Sequence, residues 1–124
     1  MFSQNKIIKK LLEKKNCWLI TGVAGFIGSS FLEILISNNQ YVIGIDDFSS
    51  GKKKNIMKYL NGKEKNFFFI NKNIFHLKKN DLSNFKIDYL IHLAALASVE
   101  ESIINPKKCY KNNVLGFENL ISCV

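Results

Sequence analysis

The feature that most constrains this chain is the stretch Trp18-Leu19-Ile20-Thr21-Gly22-Val23-Ala24-Gly25-Phe26-Ile27-Gly28, an apolar run interrupted by glycines at intervals of three. Cys17 to Thr21 reads as a short buried strand. Phe26, Ile27, Phe31, Leu32, Leu35 and Ile36 then recur at helical spacing, so the glycines occupy a strand-to-helix turn. At such a turn the first glycine permits an unusual backbone angle, the second lets the main chain approach a pyrophosphate, and the third lets the helix pack closely on the strand. The free amides of the helix N-terminus face the phosphates, which makes the stretch a phosphate cradle.

An acid at the right distance sharpens this reading. Asp46 ends the second apolar run, Tyr41-Val42-Ile43-Gly44-Ile45, and a carboxylate there can accept hydrogen bonds from the hydroxyls of an adenosine ribose. It would repel a 2′-phosphate and Asp47 adds to that repulsion, so NAD is expected over NADP. Lys52 to Lys54 read as a solvated charge run.

At 124 residues, 47% of them apolar, the chain can bury the core of one small domain. The net charge of +8 raises the question of nucleic acid, but all 18 basic residues are lysine, and arginine is the usual reader of phosphate forks and guanine edges. Nucleic-acid binding is not expected. No apolar run approaches the roughly 20 residues that cross a bilayer, and nothing resembles a signal peptide, so no membrane partner is expected and the cytoplasm is the expected location. Cys17, Cys109 and Cys123 lack metal-ligand spacing; they read as core thiols of a reducing compartment, and no metal is expected.

Taken in order, residues 1–16 form an amphipathic extension: Asn5 to Lys15 is a helix with Ile7, Ile8, Leu11 and Leu12 on one face, closed by Asn16. Residues 17–124 hold the nucleotide-binding unit. Its first helix stops at Asn38-Asn39, and Phe48-Ser49-Ser50-Gly51 is a polar turn that serves structure or touches the adenosine half. Lys52 to Leu60 reads as a helix, and Phe67-Phe68-Phe69-Ile70 as a third, buried strand. Asn73-Ile74 follows, where a polar and an apolar side chain could meet adenine. Asp81 and Ser83 are candidate caps in the next connection. Tyr89 to Leu93 is the fourth strand, with His92 held in it by packing or hydrogen bonding. Ala94, Ala95 and Ala97 at its carboxyl end let backbone lie against a dinucleotide. Pro106 opens a last helix with Tyr110, Val114, Phe117, Leu120 and Ile121 on its apolar side.

These residues resemble the extended short-chain dehydrogenase/reductase family, the NAD-dependent epimerases and dehydratases of nucleotide sugars. The matching pieces are Thr21 to Gly28, Asp46 to Gly51, His92-Leu93-Ala94-Ala95 and Asn113-Val114-Leu115-Gly116. Within the family the chain looks most similar to the UDP-N-acetylglucosamine 4-epimerases of surface-polysaccharide synthesis, through its helical extension, Trp-Leu-Ile-Thr-Gly strand and Ala95-Leu96-Ala97-Ser98-Val99. The resemblance implies the first half of a Rossmann-like, doubly wound α/β parallel sheet of order 3-2-1-4 with flanking helices. By the same resemblance Gly22, Gly25, Phe26, Ile27 and Gly28 would hold the pyrophosphate, and Asp46 the ribose with Asp47, Ser50 and Gly51 around it. Asn73 and Ile74 would meet adenine, Ala94, Ala95 and Ala97 would line the nicotinamide side, and Asn113 would support the cofactor. Ser98 and Val99 would lie near the sugar. Asn73 stands where the family usually has aspartate.

Family members oxidise a sugar carbon with NAD while a tyrosine, assisted by a lysine four residues later, takes the hydroxyl proton. Those residues follow a fifth strand that this sequence does not reach, and the substrate domain is absent with them. Tyr59 and Lys63 share the spacing but lie between strands two and three and read as coincidence. No catalytic residue is therefore expected. The implied function is the NAD-binding portion of a UDP-sugar 4-epimerase, inactive alone. The alternatives are half of a split enzyme completed by a second polypeptide, with UDP-sugar bound only then, or a non-catalytic nucleotide-binding module. An open sheet edge and uncovered helix faces would favour self-association.

Overall fold

The computed structural model describes residues 2–124, with side chains from residue 6 onward; Met1, part of the expected extension, lies outside the described residues. Helix α1 (Phe2–Glu13) leads into strand β1 (Cys17–Thr21), helix α2 (Phe26–Ser37) and strand β2 (Tyr41–Asp46). Strand β3 (Phe67–Asn71), helix α3 (Lys79–Leu82) and strand β4 (Tyr89–His92) follow. The chain ends in α4 (Val99–Ile104), α5 (Pro106–Tyr110), a π-helical turn (Lys111–Leu115) and α6 (Gly116–Cys123). The four strands pair in parallel in the order β3-β2-β1-β4, as expected.

Alternation along the strands divides the core between the two faces of this sheet. Ile20 and Val42 join Leu32 and Leu35 of α2 and Ile56 on one face, while Leu19, Ile43, Ile45 and Ile70 meet Ile74, Leu77, Leu82 and Leu120 on the other. Gln40, fully buried, knots the amino-terminal elements: its Oε1 accepts from the Asn16 amide and from Trp18 Nε1, both at 3.0 Å, and its Nε2 donates to the Leu12 carbonyl. Asn16 closes α1 by donating to the Leu11 and Lys14 carbonyls. Ile7 and Ile8 of the expected packing face stay exposed, and Leu11 and Leu12 carry the contact.

Three expectations need correction. Lys52 to Leu60 is two 3₁₀ turns, Lys53–Asn55 and Met57–Tyr59. The Lys52 amide and Asn55 Nδ2 both donate to the Ala24 carbonyl, which holds the segment against the glycine turn. Ile56 and Tyr59, three residues apart, then reach the core from one edge of the tighter coil. Strand β3 is not buried on both faces: as a sheet edge it leaves Phe68 half exposed beside Phe85. Of the apolar side expected on the last helix, only Leu120 is buried; Tyr110, Val114 and Ile121 face outward, and Phe117 lies half exposed against the His92 ring.

Candidate functional site

The carboxyl ends of the strands surround a cavity of about 400 Å³. Ten of the expected site residues line it: Gly22, Gly25, Asp46, Asp47, Ser50, Gly51, Asn73, Ile74, Ala94 and Ala95. Phe26, Ile27, Gly28, Ala97, Ser98, Val99 and Asn113 do not. Phe26 is 87% exposed, and Ile27, Ala97 and Val99 are also exposed; Ser98 Oγ caps α4 by accepting from the Glu101 amide.

The glycine turn has the geometry that its spacing implied. Gly22 sits at φ +70°, where a β-carbon would lie 2.8 Å from the Ala94 amide nitrogen, and its own amide donates to the Ile45 carbonyl at 2.8 Å. A β-carbon on Gly28 would collide with the Gly22 carbonyl, so this glycine sets the approach of α2 and shapes the cavity from behind.

Asp46 is only 8% exposed and is wired into the backbone on both sides. Oδ2 accepts from the Ala24 amide and Oδ1 from the Phe48 amide, both at 2.8 Å. The second bond holds Phe48 at φ +58°, a costly angle for a bulky side chain, with its ring against Phe69. Gly51 clears the space for the carboxylate, since a β-carbon there would stand 2.9 Å from both oxygens.

Asp47 accepts from the Ser49 amide at 2.9 Å and from Asn73 Nδ2 at 2.7 Å. Partial burial opposes ionisation, but the hydrogen bonds from Ser49 and Asn73 outweigh it and hold the carboxyl below the usual carboxylate range. Asn73 Oδ1 in turn accepts from the Phe75 amide, and Nδ2 also lies 3.2 Å from Asn112 Oδ1. The amide orientation is thereby fixed: nitrogen toward the acid, oxygen toward an N–H, with one lone pair left for a ligand.

Two further asparagines, one of them expected here, position the walls from behind. Asn113 accepts from the Leu96 amide at 2.7 Å and donates to the Leu96 carbonyl at 3.1 Å, so it supports the loop after β4 instead of facing the cavity. Asn119 Nδ2 lies 2.7, 3.2 and 2.9 Å from the carbonyls of Ile74, Phe75 and Leu77 and gathers the turn that carries Ile74. Gly116, one helical turn earlier, leaves room for Ile74, whose nearest carbon would be 3.0 Å from a β-carbon there. Asn112, Lys72 and Lys108 line the cavity without having been expected. Nothing in a single asparagine or lysine flags such a role; the π-helical turn that places Asn112 is a tertiary outcome.

His92 has the packing role expected of it. Thr21 Oγ1 accepts from the amides of Leu93 and Ala94 at 3.1 and 3.2 Å, the Leu93 amide being shared with the Thr21 carbonyl. The Thr21 hydroxyl and His92 Nδ1 share a hydrogen bond of 2.6 Å. Burial pushes the histidine pKa down, which favours the neutral imidazole. Tyr59 is buried beside Phe67, outside the cavity, so the Tyr59–Lys63 spacing builds no catalytic pair. Among the described residues no cluster of His, Cys, Asp and Glu could hold a metal, the three cysteines are unpaired, and no helix is long and apolar enough to cross a membrane.

Comparison with known proteins agrees with this geometry. The family model described as GDP-mannose 4,6 dehydratase matches residues 19–124. Protein CapI of Staphylococcus aureus is 40% identical over 114 residues, which cover 85% of this chain and 33% of CapI. The UDP-Glc/GlcNAc 4-epimerase structure from Campylobacter jejuni superposes with a TM-score of 0.77 at 31% identity, over 87% of this chain and 33% of that one. The Thermus thermophilus UDP-glucose 4-epimerase, solved in complex with NAD, gives 0.72 at 30% identity, over 86% and 33%. The chain thus spans about a third of the length of the proteins it matches. With a family model matching residues 19–124, most of its length, the chain belongs to the epimerase/dehydratase family of nucleotide-sugar enzymes.

Proposed function

We propose that this chain is the NAD-binding portion of a cytoplasmic UDP-sugar 4-epimerase of surface-polysaccharide synthesis, acting on UDP-N-acetylglucosamine. The observation that carries the reading is the single cavity joining the glycine turn, Asp46 and the Ala94-Ala95 backbone. The fit to a dinucleotide is good. Gly22 and Gly25 offer a wall without side chains for a pyrophosphate, Asp46 and Asp47 offer acceptors to ribose hydroxyls, and Ile74 offers an apolar surface to adenine. NAD, when bound, supplies a hydride acceptor. This chain's residues bind and orient it, and the carboxylates disfavour a 2′-phosphate.

By itself the chain is inactive in this reading, because among the described residues no tyrosine with a lysine four residues on lines the cavity. A second reading, half of an enzyme completed by another polypeptide, draws on a specific observation. Among the described residues strand β4 pairs only with β1, and Phe26, Ile27, Phe31 and Ile34 of α2, Val114 of the π-helical turn, and Phe117 and Ile121 of α6 present apolar surface to solvent. The test is to supply NAD and UDP-N-acetylglucosamine to the purified chain, alone and mixed with a separately produced polypeptide spanning the remaining two thirds of a relative, and to follow epimerisation by NMR. No turnover alone and turnover on mixing supports both readings. Turnover by the chain alone overturns the first, and none on mixing overturns the second and favours a binding module.

A further inference from the structure

Two cations line the cavity, and the structure treats them differently. Lys72 Nζ is held by both carboxylate oxygens of Asp81, at 2.7 and 2.8 Å, and Asp81 is itself fixed by the Lys78 amide at the start of α3. That lysine is committed to the scaffold. Lys108, on α5, makes a single 2.8 Å contact with Glu101 on α4, and both side chains are substantially exposed, at 52% and 36%. An isolated ion pair of this kind contributes little and exchanges readily. The lining also includes Asp46, Asp47, Gly22 and Gly25, but the Gly22, Val23, Ala24 and Gly25 amides are already bonded within the fold, so Lys108 is the lining cation least committed to the scaffold for an anionic ligand to meet.

We propose that Lys108 is a binding residue for a phosphate of the ligand, released for that contact from Glu101, which acts as its competing anion in the empty cavity. The inference rests on the dinucleotide reading above and deepens it. Glu101 and the ligand phosphate compete for one ammonium group. Removing the acid and removing the base therefore have opposite effects on affinity, a pattern that loss of a merely structural pair would not give.

The experiment is calorimetric titration of the whole chain with NAD and, separately, with adenosine, for the wild type, Lys108→Gln and Glu101→Gln, at low and high salt. The expected result is a three- to tenfold weaker NAD affinity for Lys108→Gln, a gain of up to threefold for Glu101→Gln, and a smaller salt dependence for Lys108→Gln than for the wild type. Adenosine, which has no phosphate, should bind all three alike. NAD binding by the wild type with Lys108→Gln unchanged, or with both variants weakened together, overturns this inference and leaves the cofactor reading standing. A parallel loss of adenosine binding in Lys108→Gln overturns the phosphate contact. Absence of NAD binding by the folded wild type overturns the cofactor reading itself.

Discussion

The Ala24 amide donates to Asp46 Oδ2 at 2.8 Å, joining the glycine turn after β1 to the acid that ends β2. One carboxylate thus shapes the turn and presents acceptors to the cavity. Asp46→Ala leaves the Ala24 and Phe48 amides without partners, with an expected loss of about 2–3 kcal/mol in stability. Gly51→Ala should perturb the same place from outside, by crowding both oxygens. Chemical denaturation of the two variants checks this; a midpoint unchanged in both would contradict the linkage.

Asn73→Asp would set a second carboxylate where an amide now donates to Asp47 at 2.7 Å. Like charges at that distance raise the pKa of the pair, so the variant should be less stable than the wild type by about 1–2 kcal/mol at pH 7 and recover as the pH falls toward 4. The wild type runs the other way: the depressed Asp47 pKa contributes stability above the ordinary carboxylate value that is lost as pH falls through the folded value. Melting temperatures across pH 3 to 7 would separate the two profiles.

The His92 pKa is lowered by burial, so the unfolded chain takes up the proton first as acid is added. Stability from the neutral imidazole is complete above its ordinary pKa of about 6.5 and declines below it. Protonation would make both ring nitrogens donors, so the 2.6 Å bond could then run only from His92 to the Thr21 hydroxyl. His92→Asn should flatten the stability profile between about pH 7 and 5. A slope identical to that of the wild type would assign the effect elsewhere.

Asn119→Leu removes the donor shared by the carbonyls of Ile74, Phe75 and Leu77, at an expected cost of about 1–3 kcal/mol. Hydrogen exchange should show faster opening of the 74–77 turn than of β1. Uniform acceleration would mean that Asn119 supports the whole fold and not that turn.

What could be read from sequence follows from the range of the interactions. Strand β1, helix α2 and strand β2 are set by local apolar period and by Asn38-Asn39, with Asn39 at φ +57°, and the structure has them where the pattern put them. The roles of Gly22 and Gly28 were legible because each is a steric demand within the motif. The exposure of Phe68, Tyr110 and Phe117 was not, because an apolar residue does not announce whether anything covers it. Neither was the asparagine wiring. Asn112 and Asn113 are neighbours in sequence, yet one meets Asn73 and the other Leu96, a division made by the helix they ride on.

The central claim, that this chain holds NAD through its glycine turn and Asp46, is tested most directly by titrating NAD and NADP into the purified chain in a calorimeter, with circular dichroism confirming the fold. The account predicts saturable one-to-one binding of NAD, at least tenfold tighter than NADP and weakened in Asp46→Asn, which keeps an acceptor for the backbone amides. A well-folded chain that takes up no NAD, or that binds both nucleotides equally, would contradict it.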